Sequence, residues 1–258
     1  MNSSQNLNLT KDFNYMERQQ LHNRYIKLCE EHGISVLVTN NNAADAPRYE
    51  LNTNNGVHNI VLNDSKIDVS MYESFLAYAV SLLLLPKLIL KTERLVIRRF
   101  CMDDAAACLA FMSDAQGMYL DGCKSFNTMD EDYWERMKLF EEREGQYVIV
   151  LKSTDEVIGT INVFNDDSRA VSSKEIGYAI SPKYQRNGYA YEAISAIISL
   201  LQKELLFDMV VAGVLPENIP SIKLLEKLGF SNEGIRHKAL WHEALDKPVD
   251  LMYYYIDR

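Results

Sequence analysis

The sequence predicts an α+β fold: a mixed, mostly antiparallel sheet flanked by helices and containing one parallel strand pair, preceded by a small N-terminal α/β module. Three observations predict it. First, Ile176–Leu205 reads as an apolar strand, a short basic turn bearing glycine, and an amphipathic helix, and Met209–Val214 follows as a strand apolar on both faces. Strand, helix and strand in that order make parallel neighbours joined by a right-handed crossover. Second, alternation over Gln146–Lys152 and Val157–Phe164, and again over Glu233–His242 and Val249–Ile256, predicts two antiparallel pairs. Third, 258 residues is long for one domain of this kind, and a break near Pro86–Lys91 divides the chain into 1–88 and 89–258.

In chain order, Met1–Thr10 is polar, and Lys11–His32 has helical spacing that places Tyr15, Leu21, Tyr25 and Leu28 on one face, with Gly33 as its stop. Ile34–Thr39 is a short β-branched strand. Arg48–Leu51 and Val57–Leu62 form a hairpin, and an apolar helix runs from Met71 to about Leu85, where Pro86 ends it. The second domain opens with a strand at Thr92–Arg98. Met102-Asp103-Asp104 caps a helix to about Met112, and Ser113–Asn127 reads as irregular. Thr128-Met129-Asp130-Glu131 fits a capping box for a helix to about Glu142. In the helix of residues 189–205, Ala190, Ala193, Ile194, Ile197, Ile198 and Leu201 recur at helical spacing, and Pro220–Leu228 is a second crossover helix closed by Gly229.

Composition removes several function classes. At 47% hydrophobic residues the chain buries a core, which excludes global disorder. A net charge of −9 argues against non-specific nucleic-acid binding and suits a cationic substrate. Cys29, Cys101, Cys108 and Cys123 form no C-x-x-C pair, the usage expected of reduced thiols in a cytoplasmic protein. No signal peptide is visible. Phe75–Leu90, interrupted by Pro86 and Lys87, falls short of the roughly 20 apolar residues of a membrane span.

The stretch that carries chemistry is Gln185-Arg186-Asn187-Gly188-Tyr189-Ala190, or Q-R-x-G-x-A. A strand turning here into a helix leaves N–H groups unpartnered at the positive end of the helix dipole, a seat for a phosphate or pyrophosphate. Gly188 permits close approach of the main chain, Ala190 keeps the first turn slim, and Arg186 adds a charged donor. The hexapeptide is neither a P-loop nor a Rossmann fingerprint.

Q/R-x-x-G-x-G/A between strand and helix resembles the acyl-CoA loop of the GNAT acetyltransferases. Thr92-Glu93-Arg94-Leu95, Glu175-Ile176-Gly177-Tyr178, and Pro216-Glu217-Asn218 through Ser221 to Leu228-Gly229-Phe230 resemble, in this order, the RimJ/RimL-type branch, over roughly residues 89–258. The resemblance implies a GNAT fold whose parallel pair splays, with acetyl-CoA as co-substrate and an amine-bearing acceptor, either a peptide N-terminus or a small amine. It implies that Ala179 and Ile180 pair with pantetheine, that an N–H near Tyr178–Ile180 serves as oxyanion donor, and that Gln185 to Ala190 hold the pyrophosphate. Glu175 is the implied base; Asn218 is placed near pantetheine or a structural water, and Ser221 near the sulfur, as the catalytic group that gives the leaving thiolate a proton or a hydrogen bond. Ordinary structural roles fit the same residues: a surface glutamate paired with Lys174 or Arg98 for Glu175, and a helix start for Asn218 and Ser221. Tyr253, Tyr254 and Tyr255 alternate across their strand, and His237, Trp241 and His242 are candidates for the acceptor wall, with core or structural roles open to each.

The N-terminal order of helix, strand, hairpin and helix is similar to the start of ImmA/IrrE-type metallopeptidases. Where that family has H-E-x-x-H this chain has Tyr78-Ala79-Val80-Ser81-Leu82, so the expectation is a degenerate module without metal. An accessory module that packs on the second domain or supports a homodimer is the other reading. For the whole chain, the alternative to an enzyme is a non-catalytic acyl-CoA-binding protein whose N-terminal module is the interaction surface.

Overall fold

The computed structural model describes Gln20, Asn23, Lys27, Glu30 and Glu31, the segments 34–39, 49–54 and 57–63, and all residues from Tyr72 to Arg258. Most of the helix expected over Lys11–His32, and the expected polar start and 40–47 turn, lie outside the described residues. The five described positions before residue 34 are helical and exposed, at the spacing of a polar helix face. The chain forms two compact units: Met1–Leu84 with Glu204–Leu206, and Leu85–Lys203 with Phe207–Arg258.

The first unit holds a three-stranded sheet in which β3 (Val57–Asn63) is central. Strand β1 (Ile34–Thr39) runs parallel to it and β2 (Tyr49–Asn54) antiparallel, the latter forming the expected hairpin. Helix α1 (Tyr72–Leu84) follows. No helix of the described residues is long and apolar enough to cross a membrane.

The second unit is built on an eight-stranded sheet. Its strands are β4 (Ile89–Lys91), β5 (Leu95–Arg99), β6 (Gln146–Leu151), β7 (Glu156–Asn165), β8 (Ser173–Ile180), β9 (Met209–Val214), β10 (Ser231–His242) and β11 (Lys247–Asp257), in the spatial order β10-β11-β9-β8-β7-β6-β5-β4. Only β8 and β9 are parallel; every other neighbouring pair is antiparallel. Helices α2 (Ala105–Met112), α3 (Ala115–Leu120) and α4 (Glu131–Glu142) cover one face. There Cys108, Phe111, Met112, Tyr133 and Met137 share a core with Val148 and Val150 of β6. Helix α5 (Tyr189–Ser199), continued by a π-helical turn at Leu200–Glu204, packs on β5 and β8 and buries Ala193, Ile194, Ile197 and Ile198. Each of the three isoleucines is worth about 1.5–3 kcal/mol, so the apolar stripe alone commits this helix to the sheet. Helix α6 (Ile219–Lys227) links β9 to β10. At the turn into β6, Gly145 has φ +80°, and a Cβ there would lie 2.0 Å from the Val163 carbonyl oxygen, so no other residue fits.

The structure corrects several local expectations. β4 is an additional short strand on the free edge of β5. The 113–127 segment contains α3, whose six residues are too few to display a periodicity in the sequence. The N-cap of α4 is Asp130, whose Oδ1 accepts from the Tyr133 N–H at 3.1 Å, while Thr128 donates to the other oxygen of the same carboxylate. The cap is therefore displaced by two residues and is a single side-chain bond without the reciprocal half of a box, because a carboxylate is the stronger acceptor for an orphan N–H.

Asp104 does more than open α2. Its two oxygens receive Arg98 Nη2 and Nη1, each at 2.7 Å, and one also accepts the Cys101 N–H at 3.0 Å. Burial by itself would raise the Asp104 pKa; Arg98 and the Cys101 donors outweigh it and hold it below the ordinary carboxylate value. A folded pKa below the unfolded one means that this contact stabilises fully above the unfolded value, and its contribution is lost as pH falls through the folded one. Asp104→Asn is expected to cost about 2 kcal/mol in urea denaturation at pH 7, with the gap to wild type closing on acidification.

Candidate active site

The sheet opens where its parallel pair ends. β8 and β9 are hydrogen-bonded only over Ser173↔Met209, Lys174↔Val210 and Glu175↔Val211. Beyond that point β8 stays paired on its other edge with β7 as far as Ile180, and β9 with β11 as far as Val214. Both strands thus continue without facing one another, and their inner edges carry backbone groups with no ladder partner. A cleft of about 280 Å³ occupies the opening, lined by Glu175–Ala179, Ala212–Leu215, Asn218 and Ser221, with Phe111, Met118 and Phe140 of the helical layer as its apolar wall.

Glu175 and Tyr178 are three residues apart on one strand, so their side chains leave opposite faces of the sheet. Glu175 lies on the side of α2–α4. Tyr253 Oη donates to its Oε1 at 3.3 Å, and the Arg236 guanidinium lies 3.9 Å from the Tyr253 ring centroid. Burial raises the Glu175 pKa above the ordinary carboxylate value and nearby Asp166 adds to this, while the Tyr253 hydroxyl, Arg236 and the Gly213 N–H act the other way. The result is a carboxylate readier than usual to take a proton. On the opposite face, Tyr178 Oη and Ser221 Oγ lie 2.6 Å apart. Burial pushes the Tyr178 phenol up to about 12, so it holds its proton throughout the neutral range. Asn218 caps α6: its Oδ1 accepts the Ser221 N–H at 3.3 Å, and its Nδ2 donates to the Leu120 carbonyl at 3.3 Å.

One end of the cleft has a rim made from two segments. Leu120, Asp121 and Cys123 line it from the α3–α4 connection, and Leu240 from β10. Glu243 joins them: its N–H donates to the Gly122 carbonyl at 2.8 Å, its carboxylate accepts the Lys124 N–H at 3.1 Å, and Arg136 pairs with it at 2.5 Å. Burial raises the pKa of Cys123, to about 11, so its thiol is inert at neutral pH. Asp121, exposed to solvent, also lines the cleft.

Beyond the far end of β8, the chain turns through Pro182–Tyr184 into α5. Arg186 (φ +64°) and Gly188 (φ +81°) both sit in the left-handed region, which costs a non-glycine residue about 1–2 kcal/mol. The strain holds the turn in a shape that leaves the first N–H groups of α5 without helical acceptors. Arg186 has no side-chain partner among the described residues. Gln185 folds back to donate to the Ile180 carbonyl at 3.0 Å, and Asn187 Nδ2 donates to the carbonyls of Tyr184 and Gln185.

A splayed parallel pair whose first strand runs through a glycine turn into a helix is a specific arrangement, and residues 94–231, more than half of the chain, match the family model "Acetyltransferase (GNAT) domain". The chain belongs to the GNAT acetyltransferase family. It is 31% identical over 172 residues to the uncharacterized N-acetyltransferase YoaA of Bacillus subtilis, which covers 65% of this chain and 96% of that protein. It is 34% identical over 79 residues, 31% of this chain and 41% of the relative, to the [ribosomal protein uS5]-alanine N-acetyltransferase of Escherichia coli. Among solved structures, a GNAT-family acetyltransferase from Bacillus anthracis superposes with TM-score 0.58 at 28% identity, over 66% of this chain and 98% of that one. Mycobacterium smegmatis RimJ in complex with CoA-disulfide shares the fold, with TM-score 0.53 at 21% identity over 63% and 81% of the two chains. These similarities are those of the RimJ/RimL-type branch.

Within the GNAT domain, Glu175, Tyr178, Ala179, Asn218 and Ser221 line one cleft. Gln185 to Ala190 form the turn and first residues of α5, and Ile180 ends β8 between the two groups. The expected partners of Glu175, Lys174 and Arg98, engage Asn165 and Asp104 instead. His237 pairs with Asp250 on the surface, and His242 is fully buried with its ring 4.7 Å from that of Tyr119. Sequence reasoning did not single out Tyr253 as the partner of Glu175, nor Arg236, nor Asp121. The alternation of Tyr253–Tyr255 and the pairing of β11 with β10 were visible, but which strand lies on the other edge of β11 was not.

Gly213 keeps Glu175 where it is. A Cβ at Gly213 would stand 3.0 Å from Leu251 Cδ1, 3.3 Å from Glu175 Oε1 and 3.3 Å from Tyr253 Cε2. Gly213→Ala is expected to cost about 1–3 kcal/mol in denaturant titration, with the Glu175–Tyr253 contact broken in the variant's crystal structure.

Proposed function

We propose that this GNAT protein transfers an acetyl group from acetyl-CoA to a primary amine, a protein N-terminal α-amine or a small amine, by direct attack, with residues 89–258 as the transfer domain and 1–88 as an accessory module. The observation that carries the reading is the opening between β8 and β9, with a proton acceptor on one face and a pair of hydroxyls on the other. The names of two similar proteins agree with it, one an alanine N-acetyltransferase acting on a ribosomal protein and one a RimJ bound to a CoA-disulfide. The acidic balance of the chain suits a cationic acceptor, and cysteines without C-x-x-C spacing suit a cytoplasmic setting.

The residues present fit such a co-substrate. The unpartnered edges of β8 and β9 offer amide groups to a pantetheine chain. The first turn of α5, the left-handed Gly188 and Arg186, whose side chain has no partner among the described residues, suit a diphosphate. When bound, acetyl-CoA supplies an activated acetyl group. Glu175 accepts the proton of the incoming ammonium, directly or through water, which leaves the neutral amine as nucleophile. On the other face Ser221, bonded to a Tyr178 phenol that keeps its proton, is the hydrogen-bond donor for the departing sulfur, and the second proton released by the amine as the amide forms ends on the thiol. The N–H groups of the opened β8 edge stabilise the oxyanion.

A thiol-release assay with peptides of different N-terminal residues and with small polyamines tests the reading; Glu175→Gln should lower kcat/KM about 10²–10⁴-fold without loss of stability. In wild type, kcat/KM should fall as pH drops through the raised Glu175 pKa. Tyr253→Phe removes a donor that favours the ionised carboxylate, so it should move that acid limb to higher pH. A limb that stays in place would remove Tyr253 from the tuning of Glu175.

A further inference from the structure

We propose that Arg94 is a positioning residue for the turn that opens α5, setting the direction of the Gly188 N–H toward a bound diphosphate. The inference rests on the acetyl-CoA reading above and adds to it a residue from a distant strand.

Arg94 precedes β5 and is remote in sequence from the turn, yet it grips it at several points. Its Nη1 donates to the Asn187 carbonyl at 3.0 Å. Its Nε donates to Glu192 Oε2 at 2.7 Å, and its backbone N–H donates to Glu192 Oε1 at 2.8 Å. The guanidinium carbon lies 4.6 Å from the Tyr189 ring centroid. Thr92 Oγ1 donates to Glu192 Oε1 at 2.5 Å, and Glu192 is tied back to the turn by its N–H to the Gly188 carbonyl at 3.0 Å. Burial alone would raise the Glu192 pKa; these donors from Thr92 and Arg94 hold it below the usual value, so the carboxylate stays charged as the anchor of the clamp.

The consequence lies in the peptide plane. In a trans peptide the carbonyl and the next N–H point in opposite directions. Holding the Asn187 carbonyl therefore fixes the Gly188 N–H. That peptide joins Asn187 to the left-handed Gly188, one residue after the left-handed Arg186, and glycine alone would leave it free to rotate. One further donor remains: Arg94 Nη2 has no protein partner among the described residues and stands 3.5 Å from where a Gly188 Cβ would be, beside the same turn. A fork with one arm on the backbone, one on Glu192 and a flat face on Tyr189 is a geometry that lysine cannot reproduce.

The test compares acetyl-CoA with S-acetyl-pantetheine, which has the thioester but no diphosphate, using wild type, Arg94→Ala, Arg94→Lys and Glu192→Gln. For both Arg94 variants the KM for acetyl-CoA should rise about tenfold or more, with kcat within about twofold, while kcat/KM for S-acetyl-pantetheine stays at the wild-type value. Glu192→Gln, which keeps the Arg94 charge but loosens its anchor, should raise the KM for acetyl-CoA about threefold in the same selective way. Equal losses with both donors, an unchanged KM for acetyl-CoA, or full function in Arg94→Lys would overturn the inference while leaving the acetyl-CoA reading in place. Should Arg94→Ala not fold, Glu192→Gln and Arg94→Lys decide by the same criteria. A wild type that does not prefer acetyl-CoA over S-acetyl-pantetheine would overturn both.

Discussion

The early end of the β8–β9 ladder is the constraint on which the rest of this domain depends. Three residue pairs hold the two strands together, and after Glu175 and Val211 each is held only by its outer neighbour. An interior sheet edge is normally covered because unpaired amides are costly to bury. Here the edges stay open because β7 and β11 keep their partners extended, and because α5 and α6 follow the two strands and brace them from one face. The opening is thus a property of strand order, and a passage through the sheet is its direct result.

That passage separates two kinds of chemistry. On the side of α2–α4, Glu175 is surrounded by Gly213, Tyr253 and Arg236, which temper a carboxylate whose pKa burial has raised. On the side of α6, Tyr178 and Ser221 share one hydrogen bond, and burial keeps the phenol protonated. The strand that carries both groups is a rigid interior strand, so their separation is set by the pleat and not by a loop. The turns of the site are pinned by side chains from elsewhere: Asn218 to Leu120, Glu243 to Lys124, and Arg94 to Asn187.

Much of this was legible in the amino-acid sequence, for reasons that differ by residue. Strand, turn and helix over Ile176–Leu205 showed themselves through periodicity, and Gly188 through the need for a close backbone approach. Glu175, Asn218 and Ser221 were reached by resemblance, which carries positions but not their surroundings. Local competition hid the rest of the detail: Thr128 fitted a capping box, but the Asp130 carboxylate took the cap; α3 was too short for a pattern. Tyr253, Arg236 and Arg94 could not be placed beside their partners, because each contact spans dozens of residues and depends on strand order. Tyr253 reaches Glu175 only because β11 inserts between β9 and β10, an order that hairpin spacing alone does not reveal.

The staple made by Glu243 has a consequence for how the rim can diverge. From its own loop one glutamate closes three bonds, to Gly122 and Lys124 of a loop far away in the chain and to Arg136 of α4. Insertion of a residue into either loop would pull Glu243, its N–H and its carboxylate together, away from all three at once and strand the guanidinium of Arg136. The mouth of the cleft therefore cannot be reshaped one loop at a time: descendants of this protein that admit a larger or smaller molecule must alter both loops in concert, or replace the staple first.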